Sequence, residues 1–376
     1  MKKKLLAVAV AGALAAPGLA LAQSSVTISG ILKTSLENVK IGSRVGATNN
    51  SETRLADDSS RILFNVTEDL GGGLQAIGQV DVRFNMETGA GMTNSGNTHV
   101  GLRSKSLGRI FFGRQDIHYF NRESHLTDLA GDLRADSISL ISQVSPGGAL
   151  QPIAVTSRQA NIIHYTTPDF GGFTMIAAYA LSGPNGVQSD LTSTVRKGNA
   201  WHLNPNFKGS NFQVGWSYYR GKNDGGGATV ATGDQKSNKL YGSFNIAGFK
   251  LGLAWDKSII DSTTGTGKLA DRTAWSFPVS YKMGNHGIHF HYTKARDDKA
   301  TPGVQDGAKM VALSYQYTLS KRTSVGLTYA KITNDAGAAY NFFTGNNGSL
   351  ANSAGGATPA AGEDPRLFAA TIRHAF

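Results

Sequence analysis

Residues 74–84 decide the fold, and they read Leu74-Gln75-Ala76-Ile77-Gly78-Gln79-Val80-Asp81-Val82-Arg83-Phe84. The even positions hold apolar or small residues, whereas four of the five odd positions hold Gln, Asp or Arg. A hydrophobic period of two predicts a β-strand with one apolar and one polar face. The same period recurs along the chain, at residues 26–33, 212–219, 249–255, 288–292, 311–317, 325–329 and 368–376. The sequence therefore predicts an all-β protein.

The links between the strands separate the possible β folds. Sixteen candidate strands span residues 24–36, 60–69, 74–85, 97–105, 109–115, 158–167, 172–180, 200–207, 212–220, 237–246, 249–256, 272–281, 286–293, 309–318, 323–331 and 366–376. Seven links are short, at residues 70–73, 106–108, 168–171, 208–211, 247–248, 282–285 and 319–322. They alternate with eight long loops, at residues 37–59, 86–96, 116–157, 181–199, 221–236, 257–271, 294–308 and 332–365. This alternation predicts a 16-stranded antiparallel transmembrane β-barrel, because a soluble β-sandwich has no reason to place all its long loops at one end.

The predicted inner face of the barrel is polar. A dry core would accommodate so many charges only at great cost, and a barrel of about sixteen strands leaves an aqueous channel. The inward positions hold Lys33, Arg61, Asn65, Gln75, Gln79, Asp81, Arg83, His99, Arg103, Lys250, Asp256, Arg272 and Arg373. Aromatic residues at the short-turn ends of strands predict an interfacial girdle. They are Tyr165, Phe170, Phe173, Phe207, Phe212, Phe249, Tyr281 and Phe376.

The first 22 residues are predicted to be a cleaved signal peptide, which leaves residues 23–376 as the barrel domain. Lys2, Lys3 and Lys4 precede an apolar run, and Ala20-Leu21-Ala22 supplies small residues at the cleavage site. The alternative is a membrane anchor, but the run is short for a span and rich in Ala. Without the three lysines, 34 Lys and Arg stand against 26 Asp and Glu, a net charge of +8 without basic runs. Such dispersed charge does not indicate a nucleic-acid partner.

The sequence offers no catalytic or cofactor motif. The chain has no Cys, which excludes disulfides, a lipoprotein anchor and thiolate metal sites. It lacks Gly-x-Ser-x-Gly and His-Glu-x-x-His motifs, so we predict no enzymatic activity, with barrel proteases and phospholipases as the rival class. His286, His289 and His291 lie close together, but a metal site needs a further convergent ligand, so we expect rim or lumen residues and no cofactor.

Four short motifs, in this order, resemble the trimeric general porins of β-proteobacteria. They are Ser25-Val26-Thr27-Ile28-Ser29-Gly30, Gly113-Arg114-Gln115, Thr167-Pro168-Asp169-Phe170-Gly171-Gly172-Phe173 and Ile372-Arg373-His374-Ala375-Phe376. The resemblance covers residues 23–376. It implies a homotrimer in the cell outer membrane, in contact with outer-membrane lipid and lipopolysaccharide, and inserted by the barrel-assembly machinery that reads such C-terminal endings. It also implies a third long loop that folds inward and narrows the barrel, with acidic loop residues facing basic wall residues.

The resemblance also implies which residues line this constriction. It places Arg61, Arg158 and His99 on the basic side, to which the inward phase of their strands adds Lys33 and Arg103, and Arg114 is assigned to the same side. The acidic loop side is assigned to Glu123, Asp128, Asp132 and Asp136. His99 departs from the family pattern, since relatives often carry Arg there. Strict alternation turns Arg114 towards lipid, together with Ile110 and Phe112, unless the strand ends or bends at Gly113.

The expected function is that of a water-filled porin for passive diffusion of small hydrophilic solutes and ions. Basic inward residues outnumber acidic ones, which predicts a mild preference for anions. A substrate-specific channel and a surface adhesin on the same barrel are the alternatives. A sugar-specific channel would line its path with aromatic residues, whereas the tryptophans fall on the lipid-facing positions Trp201, Trp216, Trp255 and Trp275.

Overall fold

The structure is a computed structural model, and it describes the strands together with the parts of the loops next to them. Described are residues 24–42, 51–57, 59–89, 91–94, 96–118, 136–141, 143–144, 151–152, 158–183, 198–223, 233–262, 267–342 and 359–376. The predicted signal peptide, residues 1–22, lies outside these ranges. No helix in the described ranges is long and apolar enough to cross a membrane.

The described residues form one large sheet and a small hairpin. The strands of the large sheet are β1 Ser25–Ile41, β2 Ser51–Asp57, β3 Arg61–Gly71, β4 Leu74–Arg83, β5 Thr98–Ser104, β6 Gly108–Asp116, β9 Arg158–Thr166, β10 Phe173–Ala180, β11 Asn199–Lys208, β12 Phe212–Lys222, β13 Gln235–Ile246, β14 Phe249–Asp261, β15 Lys268–Met283, β16 His286–Ala295, β17 Ala308–Thr318, β18 Thr323–Asn334 and β19 Pro365–Ala375. The third long loop contributes a 3-10 turn, Ser137–Ser139, and the hairpin of β7 Gln143–Val144 and β8 Gln151–Pro152.

The large sheet closes into a barrel. Neighbouring strands pair antiparallel along the chain, β6 pairs with β9 across the third loop, and β19 pairs back onto β1. Because β2 and β3 pair with successive halves of β1, they form one stave of the wall, that is, one of the strand positions around the barrel. The 17 strands of this sheet therefore make a closed 16-stranded antiparallel barrel, as predicted.

The seam of the barrel depends on a glycine. Gly30 and Phe376 exchange two backbone hydrogen bonds of 3.0 and 3.1 Å. A Cβ at residue 30 would lie 2.6 Å from the backbone oxygen of Arg61 and still closer to the Phe376 ring. Even an alanine at this position would therefore displace the backbone of β3 and the Phe376 ring.

The first long loop is shorter than predicted. Residues 37–59 were expected to be a loop, but β1 runs to Ile41 and β2 pairs with it. The alternation continues in this region, since Val39 and Ile41 are buried and Lys40 is exposed. Ser59, with φ at 69°, then separates β2 from β3. This break changes the inward parity, so that both Arg54 and Arg61 face the interior.

The outward face is apolar, with rings at the short-turn ends of the strands. Among the predicted girdle residues, Phe207 contacts Phe212 and Phe249 contacts Tyr281, with ring centroids 5.7 and 4.4 Å apart. Phe170 is 62% exposed and Phe376 41% exposed. An apolar exterior bordered by rings fits a lipid environment, and the predicted girdle therefore agrees with the structure.

Candidate functional site: the inner wall of the barrel

Arginines from three staves meet at one part of the inner wall. Arg61 at the start of β3 lies directly opposite Arg83 at the end of β4, and Asp116 at the end of β6 lies opposite Arg158. Arg83 donates to both carboxylate oxygens of Asp81, at 2.9 and 2.8 Å. These residues, with Arg114, are called the arginine cluster below.

Two acids only partly balance this cluster. The Arg158 Nε atom lies 3.2 Å from Asp116 Oδ1, an ion pair without hydrogen-bond alignment. Arg61 donates to the Ser59 carbonyl at 3.1 Å and lies within electrostatic reach of Arg83, Arg158 and both aspartates. Among the residues that the structure describes, the cluster holds four arginines and two aspartates, an excess of two positive charges.

Arg114 lies beside an irregular part of the β6–β9 pairing. Gly113 has φ at 143°, and a Cβ here would collide with the Thr98 carbonyl oxygen. The β6–β9 register shifts between Gly113 and Gln115, with the extra residue on β9, where Asn161 has φ at 56°. Arg114 lies near enough to Arg158 to repel it, which places it with the cluster.

The other predicted basic residues lie at different places on the wall. Lys33 is buried, and its backbone exchanges hydrogen bonds of 3.0 and 3.2 Å with the Ser60 hydroxyl, next to Arg61. His99 stacks on Phe111 with ring centroids 4.1 Å apart, and Phe111 stacks in turn on His164 at 4.4 Å.

Arg103 lies at the short-turn end of β5. It donates to Gln75 Oε1 at 3.0 and 2.8 Å. Gln75 is six residues from Asp81 along β4, which corresponds to about 20 Å of extended strand. Arg103 therefore lines the vestibule on the short-turn side of the arginine cluster.

The third long loop begins inside the barrel. His118, two residues after β6, contacts the hydroxyls of Ser217 on β12 and Ser237 on β13, both at 2.8 Å. The Lys239 ammonium donates to the His118 carbonyl at 3.1 Å. Since β9, β10 and β11 lie between β6 and β12 in the wall, the chain must cross the inner face to make these contacts. Burial, with Lys239 and His202 nearby, holds the pKa of His118 well below its usual range.

Residues 136–141 of the same loop are also buried against the wall. Asp136 caps the 3-10 turn, accepting from the Ile138 amide and the Ser137 hydroxyl at 3.1 Å. Ile138 belongs to a buried apolar cluster with Ile117, Tyr219 and Ile260. The other predicted acidic loop residues, Glu123, Asp128 and Asp132, lie outside the described residues.

A second apolar cluster joins two loops across the interior. Leu140 and Ile141, both 0% exposed, pack with Met310 and Ile332 of the wall and with Phe342. Phe342 lies in the last long loop, which follows β18. The sequence does not predict this contact, because nothing in the period of either loop indicates which loop it meets.

A separate charged group lies on β13, β14 and β15. The Arg272 Nη1 atom is 3.2 Å from Asp256 Oδ1, and both side chains are almost completely buried. The hydroxyl of Ser258 donates to Asp256 at 2.6 Å. Lys239 on β13 lies directly opposite Asp256 and is buried as well, so this group holds two basic side chains and one acidic one.

Three members of the arginine cluster were missed as constriction residues. Alternation predicts that Asp81 and Arg83 lie on the inner face, but it does not predict that they lie at the constriction. Asp116 is predicted only as the first residue of the third long loop. A usable signal existed for Asp116, because the residues that flank a hairpin loop pair with each other, and Arg158 follows that loop.

The neighbouring histidines His286, His289 and His291 do not all point towards one common position. His286 faces outward and contacts the Tyr315 hydroxyl at 2.8 Å. His289 and His291 face inward, with ring centroids 5.2 Å apart. In the part of the chain that the structure describes, no group of three or more His, Cys, Asp or Glu side chains is arranged to hold a metal ion.

Comparison with known proteins gives consistent matches over most of the chain. A family model described as Gram-negative porin matches residues 7–358. An outer membrane porin protein of Bordetella pertussis is 27% identical over 374 residues, covering 86% of this chain and 92% of that protein. The major outer membrane protein P.IB of Neisseria lactamica is 24% identical over 334 residues, covering 86% of this chain and 91% of that protein. Among solved structures, an anion-selective porin from Comamonas acidovorans matches with a TM-score of 0.76 and 22% identity, covering 94% of this chain and 100% of that chain.

Proposed function

The chain belongs to the Gram-negative porin family, and we propose that its arginine cluster makes the pore it forms mildly anion-selective. The protein is an outer-membrane β-barrel channel for the passive diffusion of small hydrophilic solutes and ions. Its relatives are channels rather than enzymes. The proposal concerns which solutes the channel favours and which residues make it do so.

The charge of the arginine cluster carries the proposal. Basic side chains that line a pore favour anions, because they lower the energy of a negative charge passing close by. Among the described residues, the cluster on β3, β4, β6 and β9 holds an excess of two positive charges, and the group of Lys239, Asp256 and Arg272 an excess of one. The anion-selective porin of similar fold supports the same direction of selectivity.

The third long loop supports a constriction at the height of this cluster. The loop leaves the wall at Asp116, within the arginine cluster, and His118 lies against the wall at Ser217 and Ser237. Leu140 and Ile141 are held in the apolar cluster on β17 and β18. We infer that the loop narrows the pore, with Arg61, Arg83, Arg114 and Arg158 on its wall side. Lys33, His99 and Arg103 belong to the lining above or below, and Glu123, Asp128, Asp132 and Asp136 are the candidate acids of the loop.

The surroundings of the barrel belong to the proposal as well. We infer a homotrimer, contact with outer-membrane lipid and lipopolysaccharide, and insertion by the barrel-assembly machinery. In β2 to β6, Arg114 aside, no described outward position carries Lys or Arg, which suits a contact between protomers. We also propose that residues 1–22 are removed, so intact mass of the protein from outer membranes should correspond to a chain that starts at Gln23.

Reversal potential tests the selectivity. The folded protein in a planar bilayer under a potassium chloride gradient should show stable open steps and a potential that favours chloride. Replacing Arg61 and Arg158 together by Gln should shift this potential towards potassium, because two charges leave the cluster. A control that replaces the exposed turn lysine Lys105 by Gln should leave the potential unchanged.

Other outcomes have clear meanings. A potassium-favouring potential in the unaltered protein would overturn the anion preference and would assign the dominant field to the loop carboxylates. An unchanged potential in the Arg61 and Arg158 variant would show that the cluster is not at the constriction. Equal shifts in that variant and in the Lys105 control would show that overall charge, and not position, sets the potential.

A further inference from the structure

Eight basic side chains form a band on the outside of the barrel, near its long-loop end. They occupy outward positions, which alternate with buried inward ones, on β12, β13, β14, β16, β17, β18, β19 and β1. The band consists of Arg220, Lys236, Lys257, Lys294, Lys309, Lys331, Arg366 and Lys40.

The strand registers join the band into two runs, from β12 to β14 and from β16 to β1, which are separated by β15, where Thr273 lies opposite Lys257 and Trp275 opposite Lys294. Arg366 lies directly opposite both Lys331 and Lys40. Lys309 lies opposite Lys294, and Lys236 lies opposite Arg220. Where neighbours are not direct partners, they are offset by two residues along the strand, as Lys309 is from Val311, the partner of Lys331. Barrel strands are tilted, so such offsets keep a row of residues at one height.

The band is electrostatically unfavourable by itself. Like charges directly opposite each other on one face of a sheet destabilise the pair. Two members have an acidic neighbour in ion-pair contact, since Lys257 contacts Asp271 and Lys331 lies 3.2 Å from Asp364. Asp335 lies near Lys294 and Lys309 without forming an ion pair with either in the described part of the chain. A polyanion outside the barrel would relieve the remaining repulsion.

The residues below the band show where that polyanion lies. Two positions nearer the short turns, the outward side chains are Phe368, Tyr329 and Trp255, which are 50, 46 and 39% exposed. Large apolar and aromatic side chains of this kind mark the edge of the hydrocarbon layer. The band therefore lies at the level of the lipid headgroups on the long-loop side, which is the outer leaflet.

We propose that this basic band binds the phosphate groups of lipopolysaccharide in the outer leaflet. The inference rests on the proposed contact with lipopolysaccharide and names the residues that make it. The strip is one residue high and extends from β12 to β1 with a gap at β15, a shape that matches a row of phosphorylated lipids packed side by side. Lysine and arginine stems cover the apolar wall while their charged ends reach the headgroups.

Lipid binding by matched variants tests the assignment. The full barrel in non-ionic detergent is titrated with lipid A, with and without its phosphates, and native mass spectrometry counts the bound lipids. The band variant replaces Lys236, Lys294 and Lys309 by Gln. The control variant replaces Lys105, Lys208 and Lys321 by Gln, three exposed lysines at the short-turn end with the same total charge change. Lys309→Gln alone is the fallback should the triple band variant not fold.

The expected result is a weaker affinity of the band variant for phosphorylated lipid A, by about tenfold. The control variant should bind like the unaltered protein, and lipid A without phosphates should bind equally weakly to all three. If the unaltered protein does not distinguish the two lipids, the contact with lipopolysaccharide phosphates is itself wrong. If it does distinguish them and the band variant binds as tightly, or the control weakens equally, the contact stands but its assignment to the band is overturned.

Discussion

The two halves of the barrel wall differ in where their basic side chains lie. From β2 to β11 the described outward positions carry no Lys or Arg apart from Arg114, which lies near Arg158, whereas the inward face holds the arginine cluster. From β12 to β19 the outward face holds most of the basic band. The inward face there keeps Lys239, Asp256 and Arg272 among small buried residues such as Ala274 and Ser276.

The effect that we propose for a basic residue therefore depends on the face of the wall on which it lies, and not on how many basic residues the barrel has. An arginine on the inner wall acts on ions that pass within a few ångströms in a confined space, where fields are weakly screened. A lysine on the outer rim acts on headgroups through an interface exposed to salt, where screening over about 8–10 Å limits its reach. Net charge alone does not distinguish the two roles.

The largest effect is expected from reversing one charge on each face. Arg61→Glu should change the chloride-to-potassium permeability ratio by about tenfold or more, because roughly 1.4 kcal/mol corresponds to a factor of ten. Lys309→Glu makes the same charge change outside the barrel and should leave the ratio within twofold. Both ratios come from reversal potentials in planar bilayers, and an equal effect of the two variants would contradict the division between faces.

A smaller effect is expected from shortening a leucine on each face. Leu140→Ala removes a fully buried side chain from the cluster that holds the third loop, which costs about 2–5 kcal/mol in buried sites. The loop should then detach more often, seen as larger and noisier single-channel steps. Leu313→Ala removes a side chain that is 52% exposed on the outer face, so its steps should match those of the unaltered protein.

Lowering the pH should act on the channel through the inward His118 and not through the exposed His374. The folded pKa of His118 is depressed, so the free energy it contributes is present above its ordinary pKa of 6.5 and is lost as the pH falls below that value. Current noise caused by movement of the third loop should therefore increase as the pH is lowered from 7.5 to 5.5. His118→Asn should remove this dependence, whereas His374→Asn, at an exposed position on the short-turn side, should keep it.

The smallest effect is expected at the basic band in the absence of lipid. Lys294→Gln removes the repulsion with Lys309 directly opposite, which is worth a few tenths of a kcal/mol. The unfolding midpoint in non-ionic detergent should rise slightly, as followed by the heat-dependent shift in gel mobility. In the presence of lipid A the same substitution should lower the midpoint, and an equal rise in both conditions would argue against the band as a lipid site.

The sequence was sufficient for the barrel and only in part for the lining. The period of two and the alternating link lengths predicted sixteen staves, because both depend on residues that are close together in the chain. The positions of Arg61 and Arg158 on the inner wall followed from the same period. The contacts of the third loop did not, since His118 meets Ser217 and Leu140 meets Phe342 only through packing of distant segments.

The remaining differences concern local breaks in a regular pattern. The β6–β9 pairing contains one extra residue on β9, near Asn161, and a one-residue shift changes which side chains share a face. The break at Ser59 has the same consequence for Arg54 and Arg61. Alternation predicts the face on which a side chain lies only as far as the next such break. A glycine or serine in the sequence does not by itself indicate where a break occurs.

We expect the seam between β1 and β19 to close late in folding. Its partners, such as Leu32 and His374, are separated by almost the whole chain, and contacts of such long range form slowly because the loop between them must first be closed. Until then β1 and β19 each present an unpaired edge, the feature of a sheet most prone to aggregation. A barrel closed in this way needs its two edges to be occupied by something else for as long as the seam is open.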